Sequence, residues 1–375
     1  MARAGVVLQR LFVPEVAGDE ADSPADAATM AARLGVSREA VQLTRAADTI
    51  DLHLDTFICV RALGYDPLRR HTHAIGGRFC FGHADLPRLR DGGLAGAMWS
   101  ITTNPLRRPA RRWEVFLENL AGLRALVARS GGRLAETRTL AEYRAARARG
   151  AHAVFPAVQG ANAFDAAPAG PASIPDGAIV RATLIHLTHT RYGATSTPLP
   201  SRRAERGLDT AGRTLVEQLE ANRILLDLAH VHPDSFWDAL DAHDRTRPVV
   251  VTHTGVASVR PHWRNLDDRQ LRAVADSGGV VGIIFAVHFL ARPGGPRDSG
   301  MLMEHLEHAI QVAGEDAVGL GSDYDGAIVP PPDLPGIDHW PRIVQRMLDA
   351  RWSEERIRKV LGGNFLRVLG AVRPE

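Results

Sequence analysis

The chain has 375 residues, of which 45% are hydrophobic and 23% charged, so a large buried core is expected without disulfides. The formal net charge is only +2, and Lys359 is the single lysine among many arginines, which argues against a nucleic-acid-binding protein. Cys59 and Cys80 cannot form a disulfide framework, a pattern typical of a reducing, cytoplasmic compartment. No apolar run is long enough to span a bilayer, and Gln9 and Arg10 interrupt the apolar N-terminus, so neither a membrane anchor nor a secretory signal is expected.

The first part of the chain differs in composition from the rest. Residues 1–28 mix Pro, Asp, Ala and Gly without clear periodicity, and they are predicted to form a loosely ordered N-terminal arm. Residues 29–375 contain no internal repeat and no linker. They are therefore predicted to form one domain.

Eight short apolar runs alternate with helical patterns along this domain. The predicted strands cover residues 49–55, 96–101, 153–158, 179–185, 224–230, 249–253, 280–285 and 317–322. Helices are predicted at residues 29–47, 113–130, 139–149, within 207–223, at 267–277 and 301–313, and in the tail at 339–350, 353–361 and 364–372. Strands and helices in this alternation predict a (β/α)₈ TIM-type barrel with extra C-terminal helices.

Polar side chains stand at or just past the carboxyl ends of these runs. They are His53, Asp55, Gln159, His189, His230, His253 and Asp323. Taken singly, each has an ordinary explanation: Asp323 as a helix cap or turn residue, and the histidines as satisfied core groups. In a barrel, however, the carboxyl ends of the strands meet at one face, where catalytic residues lie. We therefore expect these side chains to converge on one site.

A long loop between residues 63 and 81 is rich in Arg, Gly and His. His71 and His73 lie two residues apart in this loop, and they are interpreted as solvated residues rather than metal ligands. Just after the loop, Asp85 is predicted to be the N-cap of a short helix with Pro87 in its first turn.

The converging residue types suit a metal-dependent hydrolase. Neutral imidazoles and carboxylates are ligands for zinc or a similar divalent ion, which polarises a carbonyl and activates water. Asp323 would then act as general base toward the water, and His189 would stabilise the developing oxyanion. Arg264 follows the sixth run, and its planar fork matches a substrate carboxylate; a surface ion pair is the alternative for this residue.

From about residue 51 to residue 372, the chain resembles the renal-type membrane dipeptidases, a family of amidohydrolase-like metal-dependent barrels. The matching stretches are His53-Leu54-Asp55, residues 83–100, Leu187-Thr188-His189, Asp227-Leu228-Ala229-His230, the strand end at His253, Arg264-Asn265, residues 321–326 and residues 363–368. The resemblance implies that His53 and Asp55 bind one Zn²⁺ and that His230 and His253 bind a second. It also implies the oxyanion role for His189, carboxylate recognition by Arg264 and proton transfer by Asp323.

One position departs from the family pattern. Relatives carry a glutamate after the third strand that bridges the two metals, and this chain has Gln159 there. A neutral amide offers one oxygen and no charge, so it is a poor bridge between two cations. The expected cofactor is therefore one or two Zn²⁺ ions.

Two functions follow from these patterns. The first is a metal-dependent hydrolase of a dipeptide or related small amide. The alternative is a barrel with a lost or altered metal site that binds or transforms a small carboxylated ligand in a specialised pathway. The expected partners are a dipeptide or another small molecule, with a homodimer as an option and no nucleic acid or membrane.

Overall fold

The structure, a computed structural model, describes residues 24–71, 81–198 and 206–375. Within these residues the strands all run parallel in one sheet. They are β1 (Ile50–Leu54), β2 (Gly96–Thr102), β3 (Leu134–Glu136), β4 (His152–Gln159), β5 (Arg181–Thr183), β6 (Leu225–Asp227), β7 (Val250–Thr254), β8 (Val280–Ile283) and β9 (Val318–Leu320). The strand order is β1-β2-β4-β5-β6-β7-β8-β9, with β3 paired to β4 off this path. The sequence patterns did not predict β3.

The first and last strands meet just past their carboxyl ends. Leu54 and Tyr324 form a parallel bridge. The amide of Asp55 donates to the Tyr324 carbonyl at 2.9 Å, and the amide of Asp323 donates to the His53 carbonyl at 3.0 Å. These bonds complete the ring of strands, so the predicted (β/α)₈ TIM-type barrel is confirmed.

Helices surround this barrel. They are α1 (Ala27–Leu34), α2 (Arg38–Ala46), α3 (Thr56–Leu63), α4 (Leu86–Asp91), α5 (Pro109–Arg129), α6 (Leu140–Ala148), α7 (Thr210–Ala221), α8 (Pro233–Ala242), α9 (Asp268–Asp276), α10 (Val287–Leu290), α11 (Gly300–Ala313), α12 (Pro341–Asp349), α13 (Glu354–Arg358) and α14 (Asn364–Val372). The last three are the extra C-terminal helices predicted from the sequence. The patterns missed α3, α8 and α10. No helix in the described ranges has the length and apolarity needed to cross a bilayer.

The helix predicted over residues 29–47 is in fact two helices. Gly35, with φ of 66°, ends α1 in the left-handed conformation that glycine adopts readily. Asp26 caps α1 by accepting from the amides of Ala28 and Thr29, so the end of the predicted N-terminal arm is helical. The rest of that arm, residues 1–23, lies outside the described residues, and the domain boundaries stay a prediction.

The strands touch one another so closely that two positions admit only glycine. A Cβ on Gly282 of β8 would lie 2.0 Å from the carbonyl oxygen of Thr252 in β7, and one on Gly321 would lie 1.8 Å from the same oxygen. Any side chain there would push β7 away. These glycines let Gly321-Ser322-Asp323 pass directly beside β7 on the way to the site.

A buried histidine at the start of β4 gives the fold a pH dependence. His152 accepts from Trp99 Nε1 at 3.3 Å on Nε2, and its Nδ1 lies 3.1 Å from the Leu94 carbonyl oxygen, to which it donates. Burial lowers the pKa of His152 from 6.5 to about 4. Between these two pH values the unfolded chain binds a proton that the folded chain does not, so stability falls as the pH is lowered from 6.5 toward 4.

Replacing His152 with Gln removes this proton uptake. We expect the stability that the protein loses on acidification to shrink by up to roughly 3 kcal/mol in His152→Gln. Urea unfolding at about pH 7 and pH 4.5 measures it, with His308→Gln at a partly exposed surface position as the control. Equal pH dependence in the wild type and His152→Gln would contradict the assignment.

Candidate active site

The carboxyl ends of the strands bring most of the predicted residues together. His53 and His253 lie within β1 and β7, Gln159 ends β4, and Asp55 follows β1 directly. His230 and Asp323 follow β6 and β9 by three residues, with φ of 66° and 61°. Left-handed backbone is uncommon for residues other than glycine, although Asp and His adopt it more often than most, and such residues cluster at functional sites. The expected convergence is therefore observed for these six residues.

Three of these side chains form a group with the spacing of metal ligands. One ligand atom from each of His53, His253 and Asp323 lies within 4.8 Å of the others, and all three residues are buried. The His53 and His253 rings stack with centroids 3.8 Å apart. His53 Nε2 lies 3.7 Å from Asp323 Oδ1 and 3.6 Å from Asp55 Oδ2. The observed group therefore differs from the predicted pairs: it combines His53 from the first pair with His253 from the second, and it includes Asp323.

The second predicted pair is also in contact. His230 Nε2 and His253 Nε2 face each other at 2.9 Å. Thr252 Oγ1 donates its only proton to Asp227 at 2.8 Å, so at its 2.9 Å contact with His253 Nδ1 it accepts a proton. His253 therefore carries its proton on Nδ1, and its Nε2 lone pair is directed at His230. A histidine whose Nδ1–H donates to the protein in this way has an unprotonated Nε2 that is oriented to bind a metal.

His53 is held in the opposite way. Arg181 Nη2 lies 2.9 Å from His53 Nδ1, and because a guanidinium only donates, Nδ1 accepts. A neutral His53 then carries its proton on Nε2, the buried atom that faces the carboxylates without a hydrogen-bond partner. A cation at this nitrogen would have to displace that proton, so His53 is a weaker ligand than His253.

Gln159 lies between the two predicted metal pairs. Thr102 Oγ1 contacts both Asp55 Oδ1 at 2.8 Å and Gln159 Oε1 at 3.0 Å. On the other side, Gln159 Nε2 is 3.4 Å from His230 Nε2. The amide thus occupies the position between the pairs without supplying a negative charge.

Burial determines the charge state of the cluster. It lowers the pKa of His53, His230 and His253, so these imidazoles are neutral, as metal ligation requires. Burial, with the nearby charge of Asp55, raises the pKa of Asp323 well above its usual value. For Asp55, burial raises the pKa, but the interactions with His53 and Thr102 outweigh it and hold the pKa low. One carboxylate therefore stays ionised while the other holds a proton readily.

Arg264 is part of the site rather than of the surface. It is 3% exposed, and its Nη2 donates to the His253 carbonyl at 2.6 Å. Its Nε is buried without a hydrogen-bond partner, and no carboxylate of the described chain forms an ion pair with it. Burial lowers its pKa to about 10, while Asp323 acts in the opposite direction. The surface ion pair considered for Arg264 is therefore wrong.

The remaining predicted histidines have mixed outcomes. His189 is partly buried in the segment after β5, and its oxyanion role stays a prediction. His71 is 5% exposed with Nδ1 3.5 Å from Asp85 Oδ2, so its interpretation as a solvated residue is wrong. His73 lies outside the described residues. Asp85 caps α4 as predicted, accepting from the Arg88 amide.

Sequence reasoning missed the residues that hold the ligands. Arg181 supports His53, and Asp227 accepts from Thr183 and Thr252 behind His253. His186 also went unassigned, although its ring lies edge-on to His230 with centroids 4.6 Å apart. A usable signal was present for Arg181 and Asp227, because a charge inside an otherwise apolar strand needs a buried partner.

Known proteins match this chain over most of its length. The family model for membrane dipeptidase (peptidase family M19) matches residues 37–374. A Klebsiella pneumoniae protein, "Uncharacterized protein in pqqA 5'region", is 33% identical over 262 residues, which cover 68% of this chain and 95% of that protein.

Solved structures give the same picture. Dipeptidase AC, a metallo peptidase of family M19, is 28% identical with a TM-score of 0.75, covering 88% of this chain and 99% of that chain. A metallo peptidase from Rhodobacter sphaeroides, liganded with a phosphinate mimic of the dipeptide L-Ala-D-Ala, is 27% identical with a TM-score of 0.73, covering 87% of this chain and 99% of that chain.

Proposed function

The chain belongs to the membrane dipeptidase family, peptidase family M19, and from this we propose that it is a metal-dependent hydrolase of dipeptides or closely related small amides. The family implies a metal cofactor and peptidase-type chemistry. The observation that carries the proposal is the buried group of His53, His253 and Asp323, whose ligand atoms lie within 4.8 Å of one another. Two neutral imidazoles and a carboxylate are a donor set that suits Zn²⁺.

Each residue of the site has a role in this proposal. The cation, when bound, would polarise the scissile carbonyl. Asp323, with its raised pKa, takes a proton from the attacking water and returns it to the leaving amine. Arg264 binds the substrate carboxylate through its unpartnered Nε, and His189 stabilises the developing oxyanion.

Metal content and dipeptide hydrolysis measured in one preparation test this function. We expect fewer than two tightly bound metals per chain in protein purified without chelator, because Gln159 supplies no bridging charge and Arg181 favours a protonated His53 Nε2. We also expect hydrolysis of at least some dipeptides, and its loss after chelation. Two stoichiometric zinc ions per chain would contradict the expected metal occupancy. Metal-loaded protein that hydrolyses nothing in a varied dipeptide panel would contradict the function and leave the barrel assignment intact.

The contact between Arg181 and His53 also favours a second candidate function. A barrel that no longer holds its metals tightly would still present the buried guanidinium of Arg264. Such a protein would bind or transform a small carboxylated ligand, and it would do so equally well after chelation. The few cysteines of the chain fit a cytoplasmic setting for either function.

A further inference from the structure

A cavity of about 510 Å³ opens beside the candidate metal ligands and is not used by the roles above. Its walls come from α3, the segment after β2, the start of α5 and the segment after β5. Thr102 connects it to the site, because this residue lines the cavity and its hydroxyl donates to Asp55 at 2.8 Å. His186 lines it as well and contacts the His230 ring. The cavity is therefore within reach of a substrate bound at the cluster.

The titratable groups that line the cavity are two arginines and one histidine, and burial lowers the pKa of His186 to about 3, so the two arginines carry the charge. These arginines are Arg61 and Arg107, and no carboxylate is among the lining residues. In the described part of the chain, neither arginine lies within 4.0 Å of a carboxylate oxygen. Arg61 donates from Nη2 to the Thr102 carbonyl at 2.7 Å, and its Nε is buried with no hydrogen-bond partner. Asp55 acts on Arg61 only from beyond ion-pair distance, and the two guanidinium groups repel each other, so together they form a site that attracts an anion.

Apolar side chains complete the walls. Ile58, Val115 and Leu187 line the cavity, and Leu187 is 44% exposed, which is unusual for a large apolar side chain. The carboxylate of Asp55 does not line the cavity: it accepts from Thr102 and lies 3.6 Å from His53 Nε2. The cavity thus suits a short aliphatic stem that ends in a negative charge.

The barrel topology indicates which part of a dipeptide would reach this cavity. In the strand order, β2 stands four places from β7, so the two strands lie on opposite sides of the eight-membered ring. Arg264, the proposed partner of the substrate's terminal carboxylate, follows β7, whereas Thr102 ends β2. A dipeptide held by Arg264 with its amide bond over the cluster therefore extends its amino-terminal residue toward β2.

We propose that this cavity binds the side chain of the substrate's amino-terminal residue and selects an acidic one, with Arg61 and Arg107 binding its carboxylate. The substrate class is then a dipeptide that begins with Glu or Asp. This inference rests on the proposed function for the orientation of the substrate. Arg61 and Arg107 determine specificity and take no part in bond cleavage.

Glu-Ala and Gln-Ala form a matched pair for the test, because they differ only in the charge of the side chain. We expect kcat/KM of the metal-loaded wild type to be about tenfold or more higher for Glu-Ala, the factor expected for a charge-assisted hydrogen bond. Arg107→Gln should remove most of this preference, chiefly by lowering kcat/KM for Glu-Ala. Arg107→Glu should reverse it, so that Lys-Ala becomes a better substrate than Glu-Ala. Arg111→Gln, at a surface side chain that is 61% exposed, is the matched control for loss of one positive charge.

A binding measurement tests the proposed cavity specificity independently of whether the protein is a hydrolase. Phosphinate mimics of Glu-Ala and Gln-Ala report affinity by calorimetry whether or not the protein hydrolyses anything. Tighter binding of the Glu-Ala mimic, lost in Arg107→Gln, supports the cavity even if no dipeptide is cleaved. Equal affinity for the two mimics, or a Glu-Ala preference that persists in both Arg107 variants, overturns it, whatever the hydrolysis assay shows.

Discussion

Asp323→Asn should lower the turnover of any authentic dipeptide substrate by about 10²–10⁴-fold, the usual contribution of a positioned acid–base group. Burial and the charge of Asp55 raise the pKa of Asp323, which makes its carboxylate a stronger base toward the attacking water. An amide of the same shape cannot act as this base. The backbone bond from the Asp323 amide to the His53 carbonyl, at 3.0 Å, does not depend on the side chain, so the barrel should still fold.

The measurement has to separate chemistry from metal loss, because Asp323 belongs to the three-residue group. Turnover should therefore be followed as the metal concentration is raised, and the loss in Asp323→Asn should persist at saturation. Full recovery at high metal would remove Asp323 from proton transfer and leave it as a ligand only. Unchanged turnover without added metal would remove both roles.

Asp325→Asn is an instructive comparison, with a different expected result. Asp325 is fully buried and accepts from the Thr56 hydroxyl at 2.5 Å and the His83 amide at 2.7 Å, so it joins α3 to the strand ends. A neutral amide keeps the shape but weakens both bonds. We expect a lower unfolding temperature with turnover per folded molecule largely retained, the reverse of Asp323→Asn.

Gln159→Glu should raise the affinity for a second metal and increase dipeptide hydrolysis. The Gln159 side chain lies between Asp55 and His230. On one side the Thr102 hydroxyl contacts both Gln159 Oε1 and Asp55 Oδ1, and on the other side Gln159 Nε2 lies 3.4 Å from His230 Nε2. A carboxylate there offers negative oxygens to both metal pairs, whereas the amide offers a single neutral one. Metal content by elemental analysis and hydrolysis in the same preparation give the result.

The outcomes of Gln159→Glu separate the two candidate functions. More metal with more hydrolysis indicates a dipeptidase site that is weakened only by the missing charge. Two metals with no hydrolysis across a varied dipeptide panel would contradict the proposed function and favour a pocket adapted to another small carboxylated ligand. Gln159→Asn is the control, because it changes the side-chain length without adding a charge.

The barrel and most of the site could be predicted because their signals are local. Most strands carry a short run of apolar residues, and a polar site residue stands at or near the end of that run, as His253 does in β7. The strand β3 was missed because Leu134-Ala135-Glu136 contains only two apolar residues between polar ones, whereas the equally short β5, β6 and β9 lie within longer runs that are mainly apolar. The support for His53 was not predictable, since its contact with Arg181 joins residues 128 positions apart and exists only once the ring of strands has formed. Likewise, the burial of Arg264 and His71 depends on packing that no local pattern encodes.

A metal at this site would also affect the stability of the barrel, because two of its ligands lie where the first and last strands join. His53 stands on the first strand and Asp323 follows the last, and each already contacts the other's strand through the backbone. A cation held by both side chains would act as a cross-link across the join, comparable to a disulfide that closes a loop of about 270 residues. Outside this join, each neighbouring pair of strands in the ring has paired residues of its own, whereas the join rests on a single bridge and a few backbone bonds. Chelation would therefore speed the opening of the barrel at this join, and amide exchange at Asp55 and Asp323 would rise before exchange elsewhere in the strands.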